Sequence, residues 1–194
     1  PTNFVRAEES YPAYQMVDVG GSKQLEFHNS VGDIPLEDAI SLLGIDDVSK
    51  ALLRIKDGEN VIWTTANLDV GSGSVSNNLV VEAGKTYVIE QGELKMPSWK
   101  PSTWYTEWTE SSRFTTKIYD VLTVESNQAN VVFVDGTPID AQSNFKVYRG
   151  ASVTIDVTMG SLLNNTVSLT VDGEKVLTDV GSYVIESIAK DMKA

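Results

Sequence analysis

The chain contains one histidine, His28, and no cysteine, and these two counts restrict the chemistry it can perform. A lone histidine excludes metal sites built on paired histidines, and any histidine-based catalytic triad would depend on His28 alone. Its surroundings, LEFHNS, are typical of a strand end or a turn. The absence of cysteine excludes disulfides and thiolate metal ligands. We therefore predict a structural role for His28.

Two other patterns resemble functional spacings. Ser143 and Lys146 match the S-x-x-K spacing of serine–lysine acylases, but that chemistry needs a helix and this segment favours a strand. Pairs of adjacent carboxylates lack the Asp-x-Asp-x-Asp-Gly loop of a calcium site and are typical of a solvated acidic surface. These pairs are Glu8-Glu9, Glu37-Asp38 and Asp46-Asp47. We predict no enzyme activity, no catalytic residue, no metal and no cofactor.

The segment Lys95–Phe114 holds three of the four tryptophans, Trp99, Trp104 and Trp108, together with Tyr105. Large rigid rings of this kind are common in cores and at binding hot spots. Three interpretations remain open: a connection packed into the seam between two β modules, an arm that docks on another protein subunit, or a platform on which sugars stack. A connection of about 20 residues without structure of its own would be unusual, so the segment needs a purpose.

The N-terminal sequence is polar with scattered aromatic residues. Alone it has too little apolar surface to order itself, so it is either a frayed end or a strand that joins a neighbouring chain by β-addition. The candidate partner-binding residues are Phe4, Tyr11, Tyr14, Trp99, Trp104, Tyr105 and Trp108.

The formal net charge is −12. A surface this acidic repels nucleic-acid phosphates and anionic lipids, so we expect neither nucleic acid nor membrane as a partner. The sequence contains no apolar run of about 18 residues that could span a membrane. The first residues, PTNFVRAEES, do not resemble a secretion signal, and we expect assembly in a cytoplasm.

Short segments rich in Val, Thr, Ile and Tyr predict a mainly β protein. Three Asp-Gly pairs, at 57–58, 135–136 and 172–173, each follow such a segment and predict hairpins with type I′ turns. In VTIDV, Val153, Ile155 and Val157 alternate with polar residues, as in a strand buried on one face. Turn-forming residues about every 8–12 positions from 115 to 189 predict an immunoglobulin-like β-sandwich of about seven strands.

The first half predicts a smaller β unit with one short helix. The helix covers 36–43, with Pro35 suited to its first turn and Gly44 to its C′ position. A strand is predicted at 51–56, and a further hairpin is predicted to turn at Ala83-Gly84. The resulting division is an N-terminal arm with the helix at 1–44, a small β unit at 45–94, a Trp/Pro-rich connection at 95–114 and the sandwich at 115–194.

The cysteine-free β modules, the missing leader and the strand phrases NLVVEAGKTYVI and VTIDVTMG resemble the Ig-like decoration, fibre and tail-associated proteins of tailed bacteriophages. The resemblance is one of class and contributes no functional residues. It implies a non-enzymatic virion protein, oligomeric or assembly-bound, that binds neighbouring capsid or tail subunits through its N-terminal half and is assembled in the host cytoplasm. The alternative is a carbohydrate-binding or adhesive module of a cell-surface or secreted protein, with glycans as partners of exposed tryptophans.

Overall fold

The computed structural model describes residues 11–46, 52–65, 78–126, 130–139, 144–158 and 167–194. These residues are mainly β, with fourteen strands and one short α-helix, which confirms the predicted fold class at this level. The chain forms two compact units. We call Tyr14–Lys117 the inserted unit, and we call Ile118–Ala194 with the N-terminal residues up to Ala13 the split unit.

The inserted unit is built on an antiparallel hairpin pattern with a helix. Its elements are β1 (Tyr14–Val19), β2 (Ser22–His28), α1 (Leu36–Leu42), β3 (Leu53–Asp57), β4 (Asn60–Thr64), β5 (Thr86–Lys95) and the first part of β6 (Tyr105–Thr123). The strand order is β1-β2-β6-β5-β3-β4. The N-terminal segment therefore begins a sheet at Tyr14 and is not an extended arm from there onward.

The core of the inserted unit is formed by buried apolar side chains, many of which alternate with more exposed residues along the strands. Leu25 and Phe27 of β2 are buried, and Tyr87 of β5 pairs with Phe114 of β6 with ring centroids 5.4 Å apart. Burying side chains of this size contributes about 1.5–3 kcal/mol each, so these positions hold the sheet and helix together. The core residues are Leu25, Phe27, Ile34, Ala39, Ile55, Trp63, Leu79, Val81, Tyr87, Ile89 and Phe114.

Helix α1 confirms the predicted helix. Pro35 occupies the N-cap, and Gly44 follows the C-cap with φ +68°. The Ile45 amide donates to the Ile40 carbonyl, 3.1 Å away, and the Gly44 amide donates to the Ser41 carbonyl at 3.2 Å. This pair of bonds is a Schellman motif, which satisfies carbonyls that the helix itself leaves open.

Two of the three Asp-Gly turns form as predicted. Asp135-Gly136 joins β7 to β8, and Asp172-Gly173 joins β11 to β12, with positive φ at all four residues. Positive φ at both central positions defines the type I′ turn and matches the twist of the flanking strands.

The first Asp-Gly turn is shifted by one residue. Asp57 pairs with Asn60, so the two central residues are Gly58 and Glu59. Gly58 has a positive φ, whereas Asp57 does not, because Asp57 is the last residue of β3. A further two-residue turn, Gly20-Gly21, joins β1 to β2 and was not predicted.

The predicted hairpin around Ala83-Gly84 is wrong. Leu79 forms an isolated antiparallel bridge with Ile34, and no regular strand precedes the turn among the described residues. The Glu82 amide is bound by the hydroxyl of Tyr87 at 2.8 Å. A backbone group that a hairpin would pair across the turn is therefore satisfied by a side chain instead.

The split unit is sandwich-like. Its remaining strands are β7 (Asn130–Val134), β8 (Thr137–Ile139), β9 (Asn144–Tyr148), β10 (Val153–Val157), β11 (Leu169–Val171), β12 (Glu174–Leu177), β13 (Gly181–Ile185) and β14 (Met192–Lys193). One sheet has the order β13-β10-β7-β8, a second pairs β11 with β12, and both β9 and β14 pair with the end of β6.

The core of the split unit follows the predicted alternation of β10. Val153, Ile155 and Val157 are buried, and Thr154 and Asp156 are half-exposed. Apolar residues of the different sheets pack together in one cluster, which supports a sandwich, while the immunoglobulin-like identity stays a prediction. The cluster contains Leu122, Val132, Phe145, Val147, Ala151, Val153, Ile155, Val157, Val167, Leu169, Val171 and Ile188.

The structure divides the chain differently from the sequence-based boundaries. The segments 14–44, 45–94 and 95–114 belong together in the inserted unit, and the boundary near 115 lies at Ile118. The proposed connection at 95–114 is largely strand, because β5 and β6 pair from Thr86↔Thr115 to Lys95↔Tyr105. The long pairing joins residues that the sequence analysis assigned to separate segments.

Candidate partner-binding surface

The β5–β6 hairpin extends past β3, the strand that pairs with β5. Strand β3 pairs with β5 only as far as Leu53↔Gln91, whereas β5 and β6 continue to Lys95↔Tyr105. We call residues 92–108 the aromatic hairpin end. It consists of the last residues of β5, a loop with one 3₁₀ turn at Pro101–Thr103, and the first residues of β6.

Five large apolar side chains of the aromatic hairpin end are exposed. Trp99 is 83% exposed, so it does not lie in a buried seam, and Trp63 of the core is only 3% exposed. Exposed large apolar side chains concentrated in one short segment of a folded protein commonly mark a binding surface. The exposed members are Leu94, Met96, Trp99, Trp104 and Tyr105.

The loop is held by its own hydrogen bonds. The Thr103 hydroxyl donates its hydrogen to the Lys100 carbonyl at 2.7 Å. Because that hydrogen is already used, the Ser98 hydroxyl is the donor in its 2.8 Å bond to Thr103 Oγ1. The Lys100 amide donates back to Ser98 Oγ, and the indole N–H of Trp104 donates to the Ser98 carbonyl at 2.9 Å. These bonds order the loop before any partner arrives, which lowers the entropic cost of binding.

Trp108 differs from the other two tryptophans because it is half-buried on the strand. The guanidinium carbon of Arg54 lies 4.2 Å from its ring centroid, within cation–π range. Its ring and the Thr106 methyl group fill the space beside Gly92, where a Cβ atom would lie 2.8 Å from Thr106 Cγ2 and 2.9 Å from Trp108 Cζ3. Arg54 in turn forms an ion pair with Glu90 of β5.

Charged side chains near the loop between β5 and β6, which we call the tip, are mostly paired. Lys95 lies 3.1 Å from Glu93 and 3.7 Å from Glu107, and the hydrogen bond to Glu93 raises the pKa of Lys95 above its usual value. Lys100 lies with its Nζ 5.7 Å from the Trp99 ring centroid, and no carboxylate within the described ranges forms an ion pair with it. The tip therefore presents an ammonium group beside an exposed indole.

The N-terminal candidates have contacts within the chain. The Tyr11 ring lies 6.0 Å from that of Tyr119 in the split unit. Tyr14 lies in β1, where its hydroxyl donates to Asp38 of α1 and its ring lies 6.1 Å from Phe27. Neither residue belongs to the aromatic hairpin end, and Phe4 lies outside the described residues.

Sequence reasoning selected the aromatic residues of this surface but missed Leu94, Met96 and Arg54. Leu94 and Met96 precede Trp99 in the segment LKMPSW. Their position next to Pro97 could have indicated that they lie at the same hairpin end. Arg54 is on β3, and its contact with Trp108 depends on strand register, which leaves no local pattern.

The residues considered for chemistry occupy ordinary structural positions. His28 is the last residue of β2, as its surroundings indicated, and Lys146 lies on β9, a strand. Ser143 lies outside the described residues. Within the described ranges, no group of three or more His, Asp or Glu side chains could hold a metal ion. None of the helices in this part of the chain is long and apolar enough to cross a membrane.

Comparison of the chain with protein-family models, curated proteins and solved structures gave no match.

Proposed function

We propose that this chain is a non-enzymatic structural protein that attaches to other protein subunits of an assembly through the aromatic hairpin end. The observation that carries the proposal is the exposure of Met96 and Trp99 on a loop already ordered by its own hydrogen bonds, and of Tyr105 at the start of β6 beside it. An exposed apolar surface of this kind gains free energy when a partner removes it from water. The class resemblance makes a tailed-bacteriophage virion component with an Ig-like split unit the specific form of the proposal.

The chemistry of the surface favours a protein over a glycan. Leu94 and Met96 add exposed apolar area to the same hairpin end, and methionine and aromatic residues are enriched at protein–protein interfaces. A sugar site needs polar groups that are placed to bind hydroxyls. The hydroxyls of Ser98 and Thr103 are already used within the loop.

The charge of the chain supports the same choice of partner. A net charge of −12 opposes binding to phosphate backbones and anionic lipids over the whole molecule. The ammonium group of Lys100 is local to the tip and suits a partner carrying a carboxylate beside an apolar pocket.

The first experiment separates particle-bound from free protein in the natural source. Virus-sized particles are purified by sedimentation, and the amount of this chain per particle is measured by quantitative mass spectrometry. We expect a fixed number of copies per particle that survives repeated sedimentation. A chain found entirely in the slowly sedimenting fraction, with no particle-bound pool, would contradict the proposal.

Glycan binding is the competing outcome. The isolated chain is screened against a glycan panel by the quenching of tryptophan fluorescence. We expect no saturable response. A saturable response that is lost on Trp99→Ala would favour the carbohydrate-binding alternative and count against subunit attachment.

A further inference from the structure

The aromatic hairpin end extends beyond the support of β3. On the β5 side, strand pairing ends at Leu53↔Gln91, and one further backbone bond runs from the Gly92 amide to the Leu52 carbonyl at 2.8 Å. A hairpin that has lost a neighbouring strand is less stable than the same hairpin inside a sheet. Side-chain contacts beyond β3 therefore matter for keeping the exposed rings in one arrangement.

Trp108 lies where it can supply that support. It pairs with Gly92 across the hairpin, and its ring and the Thr106 methyl group together occupy the space that any larger residue at position 92 would need. Because Gly92 has no side chain, the indole of Trp108 can lie against the β5 backbone. The same ring reaches the guanidinium of Arg54 on β3, at 4.2 Å. The contact therefore links the aromatic hairpin end to β3.

Arg54 is itself held in place. It forms an ion pair with Glu90, whose side chain is only 15% exposed, and Lys56 Nζ lies 3.8 Å from the other oxygen of the same carboxylate. Both basic side chains are on β3 and Glu90 is on β5. Partly buried charge-assisted bonds are stronger and more directional than exposed ones, so the guanidinium has a defined position.

We propose that Trp108 is a positioning residue, which fixes the aromatic hairpin end through its contacts with Gly92 and Arg54 and leaves partner contact to Trp99 and Tyr105. The inference rests on the proposed function for the purpose of this rigidity, since a preformed surface loses less conformational entropy on binding. The rigidity itself is a property of the free chain and can be measured without a partner.

The test is amide hydrogen exchange on the free chain, resolved by residue, in the variants Trp108→Ala and Gly92→Ala. We expect exchange of the amides at 93–95 and 105–107 to become about tenfold faster in both. Trp108→Ala removes the ring, and the Cβ of Gly92→Ala would meet Thr106 Cγ2 at 2.8 Å and Trp108 Cζ3 at 2.9 Å, so both side chains must move. Exchange at Tyr87 and Ile89 in the core should not change. Trp108→Phe keeps a ring against Gly92 and should restore most of the protection.

Gly181→Ala is the matched control. Gly181 is the first residue of β13, and its φ, like that of Gly92, is not positive. A Cβ atom there would meet only Leu177 Cδ2, at an ordinary 3.7 Å. Alanine at a strand glycine normally reduces the entropy of the unfolded chain and is tolerated or stabilising. We therefore expect Gly181→Ala to leave exchange in the aromatic hairpin end unchanged.

Two results would overturn the inference. One is unchanged exchange at 93–95 and 105–107 in both Trp108→Ala and Gly92→Ala. The other is an equal acceleration throughout the inserted unit, which would make Trp108 a general stability residue. Failure of the proposed function has a different signature, because an absence of this chain from particles would leave the exchange pattern of the free protein unaffected.

Discussion

At the residue scale, the three tryptophans of the aromatic hairpin end have three environments. Trp99 is exposed, with the Lys100 ammonium group 5.7 Å from its ring centroid. Trp104 is tied to the loop by its indole N–H, and Trp108 packs on Gly92 and Arg54. Residue type alone is therefore a poor guide to role within one short segment. Partner contact is expected of the most exposed ring, and support of the most enclosed one.

Tyr14 allows a pH prediction at the same scale. Its hydroxyl donates to the Asp38 carboxylate, and this hydrogen bond raises the pKa of Tyr14 above its ordinary value. Because the folded-state pKa is raised, the stabilisation is complete below about pH 10 and is lost as the pH rises through the raised value. Asp38→Asn should return the pKa of Tyr14 towards its ordinary value.

An NMR titration of the Tyr14 ring carbons measures this directly, and alkaline unfolding curves measure its effect on stability. The Asp38→Asn protein should lose less stability than the unsubstituted chain as the pH is raised past 10, since it has less to lose. Identical titration of Tyr14 in both proteins would show that the carboxylate does not control this hydroxyl.

At the element scale, turns and caps depend on backbone conformations that few residues adopt easily. Gly44 closes α1 with φ +68°, and no atom lies within 4 Å of where its Cβ would be. Gly44→Ala therefore introduces backbone strain without a steric clash. We expect a loss of about 1 kcal/mol in the free energy of unfolding.

Gly32→Ala provides the comparison for that prediction. A Cβ atom at Gly32 would also meet nothing within 4 Å, but its φ is not positive. Urea unfolding of the two variants should show a lower midpoint for Gly44→Ala and an unchanged or slightly higher midpoint for Gly32→Ala. Equal midpoints would mean that the conformation at Gly44 carries no cost.

The same scale explains what the sequence could predict. The turns at Asp135-Gly136 and Asp172-Gly173 were predictable because both central residues tolerate the left-handed region and flanking residues alternate. The turn at Gly58-Glu59 lies one residue later than predicted. An Asp-Gly pair indicates a turn but does not say which residue ends the strand before it. The residue types of a short segment therefore predict that a turn occurs, but they do not fix the pairing register of the strands that it joins.

The β5–β6 pairing was not predictable by local rules. Pro97 and Pro101 interrupt the pattern in the loop, and an extra residue at Ser111 shifts the register beside Glu90. The shift reverses which residues of β6 face the core, so Trp108 falls on the side of Arg54 and not on that of Phe114. The exposed aromatic residues were identifiable by type, whereas the contact that supports them depends on this register.

At the scale of the whole molecule, the chain builds the split unit from two distant segments. The buried Tyr119 donates its hydroxyl to the Pro12 carbonyl at 2.8 Å, and its ring contacts that of Tyr11. The inserted unit lies between these segments in sequence. The division was not predictable from composition, because the contact joins residues more than a hundred positions apart.

Tyr119→Phe tests this closure. The substitution keeps the ring and removes one hydrogen bond, so we expect the unfolding free energy of the split unit to fall by about 0.5–1.5 kcal/mol. Tyr183→Phe is the control, since the half-buried Tyr183 on β13 makes no hydrogen bond through its hydroxyl within the described residues. Chemical denaturation followed by NMR signals of the split unit distinguishes them, and an equal effect of both would contradict the role of Pro12.

The central claim is that the aromatic hairpin end attaches this chain to an assembly of other protein subunits. The most direct measurement is occupancy of purified particles, depleted of the native chain, by the Trp99→Ala variant and by Val61→Ala, which alters another exposed apolar residue of the inserted unit. We predict at least about a tenfold loss of affinity for Trp99→Ala, equivalent to about 1.4 kcal/mol, and no loss for Val61→Ala. Equal occupancy by both variants would contradict the claim.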